Sequence, residues 1–382
     1  MKKIVTLMAL LFVIIMVLAA CSAKSPDPSS DGTGKSNGST DNAGAAASDG
    51  APVKALFIAI GNLGDKSFFD SANDGMNNIA AQLGCETKTI ELGYDITKYE
   101  PALLEASEQD WDVIIVGTAQ ISEILEEVAA QFPEQKYMIF DASATGDNIF
   151  SIEYKKNEGA YLVGMAAAEF TVSGQEGTND DSIIGTVGGM DIPVINDFII
   201  GYIEGAKEVN PDVKVAISHI GNFDDTAKAK ELAMAQISLG ADVVFNLSAQ
   251  AGLGIFDAAV DKGTYAIGVD TDQAMVLMET DPAKSEQILT SAMTDYGASL
   301  VYAMEKHLSG TLKYGITEIL GIAEGSVTYA VNDIYNKLMP RDARDRIEQA
   351  KADIAAGKLV VPSAYEMTQE EIMDIRNGVN PN

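Results

Sequence analysis

Two doubly wound, Rossmann-like α/β lobes are the fold this sequence predicts, and three observations carry that expectation. Short apolar runs rich in β-branched residues alternate with amphipathic stretches of helical period, the pattern of a parallel sheet covered by helices. The alternation begins at Val53 and starts again after a polar insert at 173–181, whose Gly, Asn and Asp mark a surface loop. The chain is also too long for one small core, at ~150 residues per domain.

The first strand is expected at 54–60. It ends in Gly61-Asn62-Leu63-Gly64, after which Phe68, Ala72, Met76, Ile79, Ala80 and Leu83 recur at helical spacing. Ser67 with Asp70 three residues on has the spacing of a capping box, and Gly84 stands where a helix would stop. Strands follow at 86–92, 113–117 and 137–140, separated by helices at 99–109 and 121–131, and a helix at 158–170 leads into the polar insert. The second series has strands at 183–187, 213–220, 243–247 and 265–269, with helices at 196–209, 227–239 and 255–262 between them. A further helical stretch covers 295–309.

Ligands of doubly wound sheets bind outside the carboxyl ends of the strands, so the loops there are the first candidates for function. They are 61–69, 141–143, 188–191, 249–254 and 270–273. Catalysis is not expected. Only His219 and His307 are available, and no Ser, Cys or carboxylate pattern has the spacing of a triad or a metal site. Neither a metal nor another cofactor is expected. The formal charge of -30 argues against a nucleic-acid partner, since a polyanion would be repelled. Cys85 reads as a small buried hydrophobe.

At the N-terminus, Lys2 and Lys3 precede an apolar run at 4–18 that is short of the ~20 residues a spanning helix needs. The run closes in Leu18-Ala19-Ala20-Cys21, which resembles the lipobox of bacterial lipoproteins. That resemblance implies a signal peptide at 1–20, removed on export, and a lipid on Cys21. The alternatives are an ordinary signal peptide or an uncleaved anchor. The Ser/Gly/Asp-rich stretch 21–51 has too little apolar surface to fold and is expected to be a flexible tether. The expected location is the extracytoplasmic face of the cell membrane.

Three further segments carry a resemblance that spans the whole body. These are Gly64-Asp65-Lys66-Ser67-Phe68, then Gly185-Thr186-Val187-Gly188-Gly189, and Ile267-Gly268-Val269-Asp270-Thr271-Asp272-Gln273 with Thr290-Ser291. Together with Glu158-Gly159-Ala160-Tyr161-Leu162-Val163-Gly164, they are similar in kind and order to the basic membrane lipoprotein family, solute receptors of ABC importers typified by the purine nucleoside receptor. The resemblance implies a type I periplasmic binding protein fold whose lobes, crossed three times by the chain, close on a small ligand. It places one lobe at 53–142 plus 271–309 and the other at 143–270 plus 310–365, with a C-terminal tail at 366–382. It also implies a permease and an ATPase as partners, and a body that acts as a monomer.

By the same resemblance Phe68 would stack on a heterocyclic base, Asp141 would read the base edge and Asp270 would accept ribose hydroxyls, with Phe245 as a candidate for the opposing face. Phe68 and Phe245 also read as core residues, and each Asp as a helix N-cap. The chain departs from the family where Ala59 replaces an Asp, Phe69 an Asn and Thr294 a Lys on the sugar side, and where 248–252 has lost its glycine-rich character. Phe69 adds a second aromatic face, which leaves a larger flat solute such as a flavin open beside a nucleoside. A sensory lipoprotein using the same cleft is the other open reading.

Overall fold

The computed structural model describes residues 51–381. The expected signal segment, Cys21 and all but the last residue of the expected tether lie outside the described residues. The body is built on two six-stranded sheets of mixed-order α/β connectivity.

The first series comprises β1 (Lys54–Ala59), α1 (Phe68–Leu83), β2 (Glu86–Glu91), α2 (Tyr99–Ser107), β3 (Val113–Gly117), α3 (Ser122–Gln131), β4 (Lys136–Phe140) and β5 (Ile149–Tyr154). Next come α4 (Lys156–Thr171), β6 (Ile183–Gly188), α5 (Pro193–Val209), β7 (Lys214–His219), α6 (Thr226–Ser238), β8 (Ala241–Leu247), α7 (Leu253–Lys262) and β9 (Tyr265–Asp270). The remainder is α8 (Gln273–Leu277), α9 (Pro282–Ser285), β10 (Ile288–Thr294), α10 (Tyr296–Leu308), β11 (Ile316–Leu320), β12 (Val327–Tyr329), α11 (Asp333–Leu338), α12 (Arg341–Ala355) and α13 (Gln369–Gly378). Every strand and helix expected from periodicity is present, with shifts of a few residues at the ends.

Strand order is β11-β5-β4-β3-β1-β2 in the first sheet and β12-β10-β9-β8-β6-β7 in the second. All pairings in the first sheet are parallel; in the second, only β12 runs antiparallel, against β10. The chain crosses three times between sheets, but not at 142, 270 and 309. β5 pairs with β4, so the first crossing follows Tyr154. β10 pairs with β9, so the second follows Thr294, and β11 returns to β5 before the third. The reason is that 149–154 and 288–294 are nearly continuous buried strands, which extend the sheet they leave before any crossover is made.

One local expectation fails instructively. Ser67 is the residue before α1, yet its hydroxyl makes no cap bond. Asp65 does that work: its carboxylate accepts from the backbone N–H groups of Ser67, Phe69 and Asp70 at 3.0–3.1 Å, leaving the Ser67 hydroxyl free to reach the other lobe. The C-terminal residues 366–381 pack against the body. α13 opens with a capping box of Thr368 and Glu371, buries Ile372 in a cluster with Ile200 of α5, and ends where Val379 O accepts from Val215 N at 2.8 Å.

The core of the second lobe depends on an unusually close helix pair. α4 is buried along its whole length, and its backbone meets α5 at Gly164, Gly201 and Gly205. A Cβ on Gly205 would run into the Tyr161 carbonyl, and one on Gly201 into that of Asn157. Glycine is required here by approach, not by backbone angle.

Candidate functional site

The carboxyl ends of β3, β4, β8 and β9 and the starts of α1, α4, α5 and α10 surround one cavity of about 100 Å³. The first lobe contributes Phe68, Phe69, Tyr94, Thr118 and Asp141. The second contributes Phe198, Phe223, Leu247 and Asp270, while Lys156 and Tyr296 enter from the two ends of crossover segments. The walls are mostly apolar and aromatic, with the polar groups gathered at Asp141, Lys156, Asp270 and Tyr296. That is the general character of a small-molecule site.

Backbone strain concentrates at the same place. Thr118, Asp141, Ala249 and Asp270 all line the cavity with φ of 76°, 60°, 46° and 65°, in the left-handed region that non-glycine residues avoid. Each such residue costs of order 1–3 kcal/mol, and clusters of them are characteristic of ligand sites. Neither aspartate is a helix cap. No helix follows Asp141, and α8 is capped by Asp272, which accepts from Met275 N.

Lys156 organises the polar end. It is 2 % exposed, forms an ion pair with Asp141 at 2.9 Å, lies 3.8 Å from Asp270 and contacts the Tyr296 hydroxyl. Its ammonium also stands 4.4 Å from the centroid of the Tyr296 ring and 5.2–5.3 Å from those of Phe198 and Tyr154. Asp270 accepts from Ser67 Oγ at 2.6 Å through one oxygen and from the Tyr296 hydroxyl at 2.8 Å through the other. Burial pushes the Asp141 carboxyl up to about 6; Lys156 opposes that rise and Asp270 adds to it.

The sign of this shift fixes a pH dependence. Folding raises the proton affinity of Asp141, so its contribution to stability is complete below the ordinary value of 3.8 and is lost as pH rises through about 6. In a Lys156→Met variant the opposing charge is gone. The Asp141 midpoint is then expected to move further above 6, as read by carboxyl-carbon NMR titration; an unchanged or lower midpoint would show that Lys156 does not hold the carboxylate.

The segment Asp270-Thr271-Asp272-Gln273 latches one lobe to the other. Besides the Asp270–Ser67 bond, Thr271 Oγ1 and Gln273 Nε2 each donate to Lys66 O at 3.1 Å. Asn62 Nδ2 donates to Gln250 Oε1 at 3.0 Å at another point of the cleft.

Of the residues proposed from sequence, Phe68, Phe69, Asp141 and Asp270 come together in this cavity. Phe68 stacks on Phe140 at 5.2 Å and meets Phe69 and Tyr296 edge-on; Phe69 fills the space that a side chain at Gly61 would need. Phe245 and Thr294 do not line it. Phe245 sits one pleat repeat below Leu247, fully buried against Tyr202 and Phe198. Thr294 ends β10, and Tyr296, two residues on, enters the cavity instead. Lys156, Tyr296 and Thr118 were missed. A lysine directly after a strand and at the start of an apolar helix, Tyr154-Lys155-Lys156, was the available signal for the first.

A family model described as ABC transporter substrate-binding protein, PnrA-like, matches residues 52–358. The chain belongs to this family. Its members bind a transported solute, and no enzymatic step is part of that role. Among its relatives are an ABC transporter nucleoside-binding protein of Lactococcus lactis, 28 % identical over 95 % of this chain and 99 % of that one. An uncharacterized lipoprotein of Pyrococcus furiosus is 30 % identical, covering 88 % and 86 % of the two chains. In structure the family member resembles an ABC transporter solute-binding protein of Aeropyrum pernix, with a TM-score of 0.74, 25 % identity and coverage of 86 % and 100 %. That neighbour and a second solute-binding protein, from Conexibacter woesei, with a TM-score of 0.65, 22 % identity and coverage of 82 % and 99 %, have the type I fold.

Proposed function

We propose that this chain is the membrane-anchored receptor of an ABC importer, held by a lipid on Cys21, and that it takes a nucleoside or similar flat heterocyclic solute by closure of its lobes. The observation that carries the reading is the cavity itself: aromatic side chains from both lobes line it, and two carboxylates mark one end. Aromatic faces suit a planar ring, and carboxylates suit its N–H groups or sugar hydroxyls. The nucleoside-binding relative supports the same class. The solute stabilises the closed form by touching both lobes at once, adding to the contacts that Asp270, Thr271 and Gln273 already make with residues 66 and 67. Cargo then passes to a permease and its ATPase, with the receptor acting as a monomer and without a cofactor.

A thermal-shift screen of the full chain against nucleosides, nucleobases, riboflavin and sugars tests the ligand class. A solute at ~100 times its dissociation constant adds ~2.7 kcal/mol to stability, a shift that is easily read. Stabilisation by nucleosides is the expected result; stabilisation by sugars alone would overturn it.

A further inference from the structure

We infer that Lys156 and Thr118 are two of the hydrogen-bonding contacts this site holds in reserve for its ligand, beside the Tyr94 hydroxyl, which is likewise buried without a partner in the lining, and that the ligand is uncharged and presents an acceptor to Lys156. The inference rests on the cavity being the solute site and specifies what the solute must carry. An ammonium has three protons. The ion pair with Asp141 and the contact with Tyr296 use two, and Asp270, at 3.8 Å, is beyond hydrogen-bond distance for the third. That proton belongs to a cation buried in the cavity lining, where a carbonyl oxygen or ring nitrogen of a ligand would meet it away from water.

Thr118 offers an independent sign. Its Oγ1 is buried and has no hydrogen-bond partner among the described residues, and it lines the same cavity. Its φ of 76° is a costly conformation for a β-branched residue. A polar atom buried without a partner, on backbone held in strain, is explained when something that binds there completes it.

Charge sets the second half of the inference. Two carboxylates and one ammonium line the cavity, so an anionic ligand meets Asp141 and Asp270, while a cation meets Lys156. A neutral solute avoids both penalties. Phosphorylation of such a solute should therefore abolish its binding.

The test uses the full chain and calorimetric titration with inosine, cytidine, riboflavin and galactose, together with inosine 5′-phosphate and riboflavin 5′-phosphate. Lys156→Met should weaken the neutral solute that wild type binds by at least 30-fold. Thr118→Val, which keeps the shape and removes only the hydroxyl, should weaken it five- to tenfold while the melting temperature stays level or rises, because no internal bond is lost. That split is one a purely structural residue would not give. The inference fails if both variants bind within threefold of wild type, if Thr118→Val loses stability in step with affinity, or if wild type takes only the phosphorylated probes or none. Binding of galactose alone would refute the heterocycle reading and leave the two variants to decide this one.

Discussion

Asp270→Ala is expected to lower stability by ~3–5 kcal/mol and to weaken solute binding by at least ~100-fold. Three costs add. The Ser67 hydroxyl and the Tyr296 hydroxyl each lose a buried carboxylate acceptor, at ~1–3 kcal/mol apiece. Alanine must also adopt the left-handed φ of 65°, which an aspartate tolerates better. Finally, the bond from Asp270 to Ser67 joins the two lobes, so its loss disfavours the closed form that a ligand needs. Asp270→Asn keeps one acceptor and a side chain that accepts the left-handed conformation, and should recover most of the stability but less of the affinity. Chemical denaturation with parallel calorimetry measures both. An Asp270→Ala protein that melts and binds like wild type would remove this residue from the site.

The other large effect is at a residue outside the cavity lining. Gly205→Ala is expected to cost ~3 kcal/mol or more, because the added methyl meets the Tyr161 carbonyl and neither helix can yield without displacing the core around α4. At roughly 2 °C per kcal/mol, the melting temperature should fall by about 6 °C or more. Gly378→Ala, in α13, has open space around the new methyl and serves as the control, with no loss expected. A Gly205→Ala protein as stable as wild type would mean that the α4–α5 packing is looser than described.

What the sequence made legible follows from which signals are local. Helices such as α1 and strands such as β8 announce themselves through periodicity and apolar runs, and Gly84 ends α1 in the left-handed conformation its position suggested. Sheet membership is not local. β5 and β10 were assigned to the wrong lobes because nothing in 149–154 or 288–294 states which neighbour each strand will pair with. The site divides the same way. Asp270 and Phe68 stand in motifs that resemble a family, whereas Lys156 acquires its role only when α4 starts beside Asp141, and Thr118 only when its backbone is strained. Phe245 shows the converse error, an aromatic on the same face of β8 as Leu247 but one pleat repeat too deep to reach the cavity, where it packs on Tyr202 and Phe198 in the core.

Whether this cavity takes up a solute and returns it unchanged can be asked by equilibrium dialysis of the full chain against a mixture of nucleosides, followed by chemical identification of what each compartment holds. One unphosphorylated nucleoside retained per chain, recovered intact and released by Asp270→Ala, is the expected result. No retention, or recovery of a cleaved base and sugar, would contradict a receptor that binds without chemistry.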